Sequence, residues 1–528
     1  MDSQADQDYR TACEKAIDGD AGAANRLYRS IRQNEGASSA LRALVENDLG
    51  SLAAVTGQLP TALEHYEAAL RLDNGCAAAR RNLALLDTRQ PVTAATRHAS
   101  TTAVRRIPPL SIDGGMPAVR VAILSLLFNW PSTGGGTVHT SETGKFLKGA
   151  GYDVKHFYAH YAEWGVGNVT LPLDHPSERL TFADREWNAP EIQRRFREAV
   201  DRFAPDYVII TDSWNFKPLL AEAMSGYKYY LRLAAQECLC PLNNVRLLVD
   251  DQGRFSACPR NQLATAVHCR QCVSARQHQS GSLHQAERAL SGYGTAAYDE
   301  KLRTALADAE GILAVNPLIA AAVAPYSKAV HVVPSGFDPI RFPWPWPDEE
   351  ESQPKSKATI FFAGLIAECM KGFRVLHSAC AKLWQERQDF ELVATSDPVG
   401  QFDPMTRFVG WLPQDELPRQ VRQATFLVFP TIAEEALGRS AVEAMGVGRP
   451  VIASRIGGLP FTVSEGLTGL LFQPGNADDL ADKIETLLDD PGLRARMGEA
   501  ARKRFEEHFT WNVVIEQHYR RLLAPLHT

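Results

Sequence analysis

Short apolar runs alternate with amphipathic segments through most of the chain, starting with the run VRVAILSLLF at Val119–Phe128. This alternation predicts a parallel β-sheet covered by helices. It stops within residues 337–357, where the proline stretch PWPWP is followed by the acidic run DEEES, since neither can continue a helix or a central strand. It then restarts with TIFFAG and FELVAT. We therefore predict an α/β chain with two doubly wound, Rossmann-like halves, whose ligands bind at the carboxyl ends of the strands in the cleft between them.

The rest of the organisation follows from length and from shifts in composition. A chain of 528 residues is too long for one compact core and suggests about three domains. Residues 88–117 are rich in Thr, Ala, Arg and Pro and poor in aromatics, which is typical of a linker. Further strands in the first half are predicted at Tyr207–Ile210, Tyr229–Leu233, Gly311–Val315 and Val330–Val333. The predicted segments are a helical region at 1–87, a linker at 88–117, a first Rossmann-like domain at 118–336 with a cysteine-rich insert at 237–273, a linker at 337–357, a second Rossmann-like domain at 358–510, and a C-terminal helix at 511–528 that packs back on the first domain.

The helical region alternates small residues such as Gly50 and Ala62 with larger ones such as Tyr66 and Leu70. This resembles a tetratricopeptide repeat, in which small residues let two antiparallel helices pack closely. One good repeat is visible, whereas a free-standing array usually needs about three. A module that binds a protein partner and a helical cap on the next domain therefore both remain open.

Charge and hydropathy argue against a nucleic-acid-binding protein, a secreted protein and a membrane-spanning protein. The net charge is −6, so the chain lacks the basic field of a nucleic-acid-binding protein. The start Met1-Asp2-Ser3-Gln4 has no basic region followed by an apolar one, as a secretory signal would. Apolar runs such as Phe426–Pro430 are far shorter than the ~20 residues needed to span a bilayer. We expect a cytoplasmic protein without a transmembrane segment, with peripheral association at the membrane face left open.

The segment TIAEEALGRSAVEAMGVGRPVIAS, at Thr431–Ser454, combines a strand end, a short acidic loop and a helix start. Glu434 and Glu435 lie in the loop, and Glu443 lies inside the helix that begins near Gly438. A helix N-terminus offers free backbone N–H groups and a positive dipole end, which suit a diphosphate. Glu435 and Glu443 are both expected to approach a ligand that lies across this terminus.

At these residues the chain resembles the family 4 (group 1) glycosyltransferases of the GT-B fold, whose mark is Glu-x7-Glu in this strand–loop–helix setting. The run GRPVIASRIGGLPFTVSEGLTGLLFQPGNADDLADKI is similar to the family's C-terminal run. Upstream, VHVVPSGFDPIRF resembles the segment that closes the first half, and FFAGLIAECMKGFRVLHSA resembles the loop whose lysine meets the donor phosphates. A lone Glu-x7-Glu is weak evidence, whereas four motifs in this order are specific. The resemblance covers roughly Val119–Leu523 and implies an acceptor domain followed by a donor domain.

The resemblance implies a role for each matching residue. Glu435 would hydrogen-bond the hydroxyls of the donor sugar, and Glu443 would bind the ribose of the nucleotide. Lys371 would pair with the donor diphosphate and stabilise the leaving group. The backbone N–H groups around Leu437 and Gly438 would assist it. The catalytic assignments are therefore Glu435 and Lys371, and the donor-binding assignments include Glu443, Leu437 and Gly438.

Two positions depart from the family pattern. The family usually places an arginine directly after the glycine of the lysine loop, but here Leu365 follows Gly364, a further donor-binding candidate. One of the two cations that usually hold the donor diphosphate in this family is therefore missing. Arg439 is a candidate to replace it, although an exposed helix arginine is the alternative. Phe461 stands where the family has a glutamate after its Gly-Gly-x-Pro turn, which affects sugar recognition.

The resemblance also implies the type of reaction. The donor would be a UDP- or GDP-sugar, and the acceptor a glycan, a lipid-linked glycan or a protein. The family is retaining, and no second carboxylate is recognised that could flank the reaction centre for a double displacement. Front-face attack, with the leaving phosphate as base, is the implied route. No Asp-x-Asp motif for a manganese-bound diphosphate stands in the two Rossmann-like halves, so no metal cofactor is expected to be required for catalysis.

The first half contributes a glycine-rich turn, STGGGTVH, between its first strand and first helix. Gly135 and Gly136 resemble the family's glycine pair near the donor phosphate and the acceptor, since glycine lets the backbone approach a ligand closely. A simple tight turn is the alternative. His139 is a candidate for a ligand contact or for packing at the helix start. Asp212, after the strand YVIIT, is the third catalytic candidate, for binding the acceptor or accepting its proton.

The segment ECLCPLNNVRLLVDDQGRFSACPRNQLATAVHCRQC is not explained by the family pattern. Its thiolates could supply four ligands to a tetrahedral structural zinc, although the spacing is not that of a standard zinc ribbon. Free, partly buried cysteines are an equal alternative, and disulfides are less expected in the cytoplasm. The candidate metal ligands are Cys238, Cys240, Cys258, Cys269 and Cys272.

Two functions from different classes remain open. The first is the glycosyltransferase. The second is a non-catalytic scaffold, in which the helical region binds a partner and a decayed GT-B module binds a sugar nucleotide at most. Leu365 and Phe461 favour the scaffold, whereas the presence of Glu435, Glu443 and Lys371 favours the enzyme.

Overall fold

The computed structural model describes residues 4–17, 21–34, 36–55, 59–76, 79–80, 83, 118–132, 134–249, 255–276, 282–345, 357–396, 403–413 and 416–525. The predicted linker at 88–117 and most of the one at 337–357 therefore lie outside the described residues. The strands are β1 (Arg120–Ser125), β2 (Asp153–His160), β3 (Ser177–Thr181), β4 (Tyr207–Ile210), β5 (Tyr229–Leu233), β6 (Leu247–Val249), β7 (Phe255–Ala257), β8 (Gly311–Ala314), β9 (Val330–Val332), β10 (Ala358–Phe362), β11 (Phe390–Ala394), β12 (Thr406–Phe408), β13 (Phe426–Phe429), β14 (Val451–Ser454) and β15 (Gly469–Phe472). The helices are α1 (Gln4–Ile17), α2 (Ala21–Gln33), α3 (Ser39–Val55), α4 (Leu59–Leu72), α5 (Gly135–Gly149), α6 (Ala189–Phe203), α7 (Lys217–Ala223), α8 (Ala266–Arg276), α9 (Ser282–Ser291), α10 (Ala296–Asp308), α11 (Pro317–Val323), α12 (Phe373–Trp384), α13 (Leu417–Arg422), α14 (Arg439–Gly446), α15 (Leu459–Thr462), α16 (Ala477–Asp489), α17 (Pro491–His508), α18 (Trp511–Val514) and α19 (Arg520–Leu522).

Two parallel sheets form the centres of the two Rossmann-like halves. The first has the strand order β3-β2-β1-β4-β5-β8-β9, and the second has the order β12-β11-β10-β13-β14-β15. Every neighbouring pair in both sheets is parallel. In each sheet the strand order reverses beside the first strand, which creates a switch point between β1 and β4 and another between β10 and β13. The predicted α/β class with parallel sheets is confirmed.

Both faces of each sheet are buried, as the continuous apolar runs require. Successive residues of a strand point to opposite faces. In β1, Val121 and Ile123 join one apolar cluster while Ala122 and Leu124 join another. The same alternation holds in the second sheet, where Phe361 packs on one side of β10 and its neighbours Ile360 and Phe362 pack on the other. The loops at the carboxyl ends of the strands therefore rest on a rigid support.

Helices α1–α4 pack one against the next along the chain. Gly50 in α3 lies so close to α4 that an added Cβ would be 2.7 Å from the ring of Tyr66. A buried hydrogen bond of 2.8 Å from the Tyr9 hydroxyl to the Asp48 carboxylate also ties α1 to α3. The small residue at position 50 thus permits close helix packing.

The end of the chain crosses back to the first domain. The backbone N–H of Phe337 donates to the carbonyl of Phe509 (2.8 Å), and the N–H of Trp511 donates to the carbonyl of Phe337 (3.1 Å). Trp511 and Ile515 are fully buried in the same apolar cluster as Val121 of β1. This crossing fixes how the two domains face each other.

A smaller unit is inserted between β5 and β8. Strands β6 and β7 form an antiparallel hairpin, and helix α8 follows it. Among the described residues, no helix is both long enough and apolar enough to cross a membrane.

Candidate functional site

The candidate residues lie in the segments that directly follow β1, β4, β10 and β13, the four strands at the two switch points. Gly135 and Gly136 follow β1, and Asp212 follows β4. Lys371 follows β10, and Glu435 follows β13. Ligands of doubly wound sheets bind at this position because loops on either side of a switch point diverge and leave a crevice.

The loop after β10 is fixed to the loop after β13, and this brings Lys371 to Glu435. Gly372 has a left-handed φ of 75°, and a Cβ there would lie 1.8 Å from the carbonyl oxygen of Pro430, so only glycine fits. The carbonyl of Met370 accepts hydrogen bonds from the hydroxyl of Thr431 and the N–H of Ile432 (both 2.9 Å). As a result, Lys371 Nζ lies 2.5 Å from Glu435 Oε1. This is a short ion pair at the switch point.

The electrostatics of this ion pair favour its charged form. Burial by itself lowers the pKa of Lys371, but the charge of Glu435 and its hydrogen bond outweigh burial and raise this pKa above its ordinary value. Lys371 therefore keeps its positive charge at the cleft, as a group that pairs with a phosphate must.

Glu443 lies on α14, next to a small cavity. Helix α14 starts after Gly438, whose φ of 75° lets the chain turn sharply out of the acidic loop. Glu443 is 5% exposed, and its Oε1 lies 3.9 Å from Nη2 of Arg341. Burial raises the pKa of this carboxyl, and the nearby Arg439 and Arg341 oppose the rise. The cavity has a volume of about 150 Å³ and is lined by Ala363, Gly364, Thr395, Trp411, Leu412, Leu417, Arg439, Ser440 and Glu443.

Arg439 is largely buried at the boundary between the domains. Its guanidinium carbon lies 4.3 Å from the centre of the Phe337 ring, and its Nη2 lies 3.7 Å from a carboxylate oxygen of Glu142. Both Nη atoms are buried, and neither has a hydrogen-bond partner. Such a group is costly to leave unsatisfied, so Arg439 is suited to receive an anion.

The backbone before α14 offers additional donors. Within the part of the chain that the structure describes, no hydrogen bond uses the N–H of Leu437 or Gly438. The Leu437 side chain itself is buried. These N–H groups, with the positive end of α14, could hold an anion beside Arg439.

The glycine-rich turn of the first domain reaches the second domain at Arg439. A Cβ on Gly135 would lie 2.9 Å from Cδ of Arg439, and a Cβ on Gly136 would lie 3.9 Å from Oδ1 of Asp212. The structure therefore brings Gly135, Gly136, Arg439 and Asp212 to one place. His139 is buried and stacks on Trp511 with ring centres 5.2 Å apart, so it packs at the helix start.

Asp212 is in an unusual conformation for an aspartate after a strand. Its φ is 42°, a left-handed value that non-glycine residues seldom adopt, and such strain is concentrated at functional sites. The hydroxyl of Thr137 donates a hydrogen bond of 2.7 Å to its carboxylate. Burial raises the pKa of Asp212 to about 7, while the Thr137 hydrogen bond and Lys217 oppose the rise. The group therefore titrates near neutral pH, as a proton acceptor does.

Comparison with known proteins identifies the fold. Residues 401–504 match the model of the family described as Glycosyl transferases group 1. Sucrose-phosphate synthase from Thermosynechococcus elongatus is 21% identical with a TM-score of 0.53, over 77% of this chain and 99% of that one. Anabaena Alr3699/HepE in complex with UDP-glucose is 15% identical with a TM-score of 0.51, over 77% of this chain and 100% of that one. The chain has a GT-B-like fold.

A curated relative matches a smaller part of the chain. The D-inositol 3-phosphate glycosyltransferase of Arthrobacter sp. (strain FB24) is 35% identical over 164 residues, or 28% of this chain. The match spans 38% of that relative's length. The similarity therefore concerns part of each protein.

Several residues that shape the GT-B cleft were not predicted from the sequence. Nδ2 of Asn316 donates to the carbonyl of Ala436 (2.6 Å), which ties the first domain to the acidic loop. Nε1 of Trp511 donates to Glu142 (3.0 Å), the carboxylate that faces Arg439. These contacts join distant segments, so no local pattern marks them. Trp411 could have been found from the sequence, because a tryptophan directly after the run FVG is a local feature. In the structure Trp411 is 36% exposed, and its ring offers a surface for stacking.

The two departures from the family pattern have different surroundings. Phe461 packs edge-on against Phe509 with ring centres 6.3 Å apart, so its ring contributes to packing. The backbone carbonyl of Leu365 accepts the N–H of Glu368 (3.1 Å) and closes the turn that leads to Lys371. This bond does not depend on the side chain at position 365.

The cysteine-rich insert contacts the acidic loop directly. Nη1 of Arg246 lies 3.3 Å from Oε2 of Glu434, and the N–H of Glu434 donates to the carbonyl of Val245 (3.3 Å). Arg246 has a left-handed φ of 52°. Burial raises the pKa of Glu434, and the charge of Arg246 opposes the rise. The insert is thus in contact with the residue next to Glu435.

Four of the five candidate metal ligands lie together. Cys240, Cys258, Cys269 and Cys272 line one cavity of about 460 Å³. Cys238 does not line it, because its side chain is buried in the core of the first domain. All five are free thiols.

Proposed function

We propose that the chain is a retaining glycosyltransferase, similar to family 4, that moves a sugar from a UDP- or GDP-sugar to an acceptor. The observation that carries this proposal is the Lys371–Glu435 ion pair at the switch point of the domain whose cavity Glu443 and Arg439 line. A phosphate-binding cation, a sugar-binding carboxylate and a buried ribose-binding carboxylate are the groups that a sugar nucleotide needs.

Within this proposal, the cavity at Glu443 takes the nucleoside and the two cations take the diphosphate. Trp411 offers a flat face for the base, and the buried carboxylate of Glu443 offers acceptors for the ribose hydroxyls. The diphosphate replaces Glu435 as the partner of Lys371. Glu435 is then free to accept hydrogen bonds from the sugar hydroxyls. Arg439 supplies the second positive charge, which Leu365 does not provide, and its unsatisfied Nη atoms support this role. The UDP-glucose bound in the structurally similar Anabaena Alr3699/HepE supports a nucleotide-sugar donor.

The proposed transfer proceeds with retention and without a required metal ion. Lys371, Arg439 and the N–H groups at the start of α14 stabilise the departing diphosphate as its C–O bond to the sugar breaks. The acceptor hydroxyl attacks from the same face, and its proton passes to the departing phosphate. Asp212, with its raised pKa, binds and orients the acceptor hydroxyl at the first domain.

The acceptor is a glycan, a lipid-linked glycan or a protein, and helices α1–α4 bear on this choice. Their close packing at Gly50 and Tyr66 supports a tetratricopeptide-like module. Such a module would hold a protein or peptide acceptor for the cleft, or dock a protein partner. We place the protein in the cytoplasm, where sugar nucleotides are available.

Release of nucleotide from a panel of UDP- and GDP-sugars tests the assignment. Lys371→Ala and Glu435→Ala should each lower turnover by about 10²–10³-fold, because groups aimed at developing charge contribute on this scale. Lys382→Ala is the matched control, since Lys382 lies in α12 with an exposed side chain and pairs with Asp478. Equal turnover in the wild type and both site variants would overturn the catalytic assignment. Donor-induced thermal stabilisation of the wild type without turnover would instead favour the scaffold.

A further inference from the structure

The cysteine-rich insert buries few apolar side chains, and those it buries, such as Leu239, Leu263 and Val273, pack on the core of the first domain. The three residues of β7 are all exposed, and Phe255 among them is 39% exposed. In α8, Val273 is the buried residue, and Val267 on the same helix is 56% exposed. Small units without a core usually depend on a metal ion or on cross-links. The exposed hairpin and the outer face of α8 have no such support, and a bound metal ion would supply it.

The four cysteines lie on both sides of the hairpin and on the helix that follows it. Cys240 precedes the hairpin of β6 and β7, and Cys258 follows it directly. Cys269 and Cys272 are three residues apart on α8, so they lie on one face of that helix. One cavity of about 460 Å³ is lined by all four. A single ion bound to them would join the hairpin to the helix.

Basic groups surround the same cavity. Arg260, His268 and Arg276 line it with the cysteines. Nη1 of Arg276 lies 3.5 Å from the sulfur of Cys272, as a donor to that sulfur. A site of four thiolates and one Zn²⁺ carries a net charge of 2−, and nearby cations and hydrogen-bond donors offset such a charge. The surroundings therefore suit thiolates.

We propose that Cys240, Cys258, Cys269 and Cys272 bind one structural Zn²⁺, and that this ion holds the insert against the acidic loop. Each thiol loses its proton when it binds, so four protons are released per ion. In the structure the sulfurs are not yet arranged for coordination, since no group of three or more His, Cys, Asp or Glu side chains among the described residues is placed to hold a metal. Binding must therefore draw the four side chains inward across the cavity. Zn²⁺ prefers four such ligands in a tetrahedron.

The ion would act on the acidic loop through Cys258 and Arg246. The N–H of Cys258 donates to the carbonyl of Arg246 (2.7 Å), and Nη2 of Arg246 donates to the carbonyl of Cys258 (2.6 Å). Arg246 in turn pairs with Glu434. Fixing Cys258 therefore fixes the cation that holds the neighbour of Glu435. This last step rests on the proposed function, whereas the metal site does not.

Metal analysis of the purified full-length chain tests the site without any activity assay. The wild type should contain about one zinc per chain. Cys→Ala at each of positions 240, 258, 269 and 272 should abolish stoichiometric zinc. Cys238→Ala should retain it, as the matched control outside the cavity. A folded wild type without zinc, zinc retained by the four variants, or zinc lost from Cys238→Ala would each overturn the proposal.

A second measurement covers the case in which the variants do not fold. Zinc in the wild-type chain is exchanged for Co²⁺, whose absorption spectrum distinguishes a tetrahedral thiolate site from an octahedral one. The expected result is the tetrahedral spectrum with strong sulfur-to-cobalt bands. An octahedral spectrum would overturn the proposal, as would iron and sulfide in place of zinc in the purified protein. Loss of activity with the zinc site intact would count against the proposed function alone.

Discussion

Gly458→Ala should misplace the acidic loop without disturbing the rest of the fold. Gly458 starts α15 with φ −83°, which alanine adopts without strain. Its added Cβ, however, would lie 1.9 Å from the carbonyl oxygen of Ala436 and 2.8 Å from Nδ2 of Asn316. Ordinary contacts between heavy atoms are about 3.5 Å, so the carbonyl of Ala436 must retreat by roughly 1.5 Å. Ala436 directly follows Glu435 in the chain, so a shift of its carbonyl also moves Glu435.

The expected costs to catalysis and to stability are similar in free energy, but only the first changes the rate of the folded enzyme. A displacement of about 1 Å in a catalytic group costs about 10²-fold in rate, while overpacking costs about 1–3 kcal/mol of folding free energy. We therefore expect kcat at saturating donor to fall by about two orders of magnitude, with a native circular-dichroism spectrum. Gly149→Ala is the control, because nothing lies within 4 Å of its Cβ at the end of α5. Wild-type kcat in Gly458→Ala would refute the argument that this loop positions Glu435.

Three further predictions concern separate parts of the molecule. Asp212 has a folded pKa of about 7, above that of an unfolded aspartate, so its contribution to stability is full below pH 4 and is lost as the pH rises through 7. Asp212→Asn should therefore raise the melting temperature, relative to wild type, more at pH 8 than at pH 4, and an equal difference at both pH values would contradict this. Arg246→Ala removes the ion-pair partner of the half-buried Glu434, and the loss of about 1 kcal/mol for such a pair should raise the donor KM about fivefold. An unchanged KM would show that the insert does not hold the acidic loop. Deletion of residues 1–90 should spare donor hydrolysis but abolish transfer to the native acceptor, and unchanged transfer would exclude acceptor binding by α1–α4.

The bounds of several strands and of one helix could be predicted from the local sequence pattern. Strands β4 and β5 have the bounds that their apolar runs predicted, and β8 and β9 end one residue earlier than predicted. Helix α14 begins at Arg439, one residue after the glycine taken as its start. These elements could be predicted because periodicity and turn residues are local properties of the chain. Their order along the chain was also enough to indicate parallel sheets.

Arg439 shows where local pattern fails. On its helix it resembles an exposed surface arginine, but Glu142 and the turn at Gly135 of the first domain cover it, together with Phe337 of the linker. Its burial is decided by the closing of one domain on the other. The C-terminal crossing at Trp511 contributes to this closing, and no sequence spacing reveals it.

The sequence by itself determined the strand–helix alternation, the two halves, and which loops carry glutamate, lysine and glycine. The sequence determined these features because each of them depends on residues that are neighbours along the chain. Only the tertiary structure decided that Lys371 and Glu435, 64 residues apart, form an ion pair, and that Arg246 reaches Glu434. It also separated Cys238 from the four cysteines that share a cavity. Such contacts follow from strand order and domain closure, which set distances that spacing along the chain does not encode.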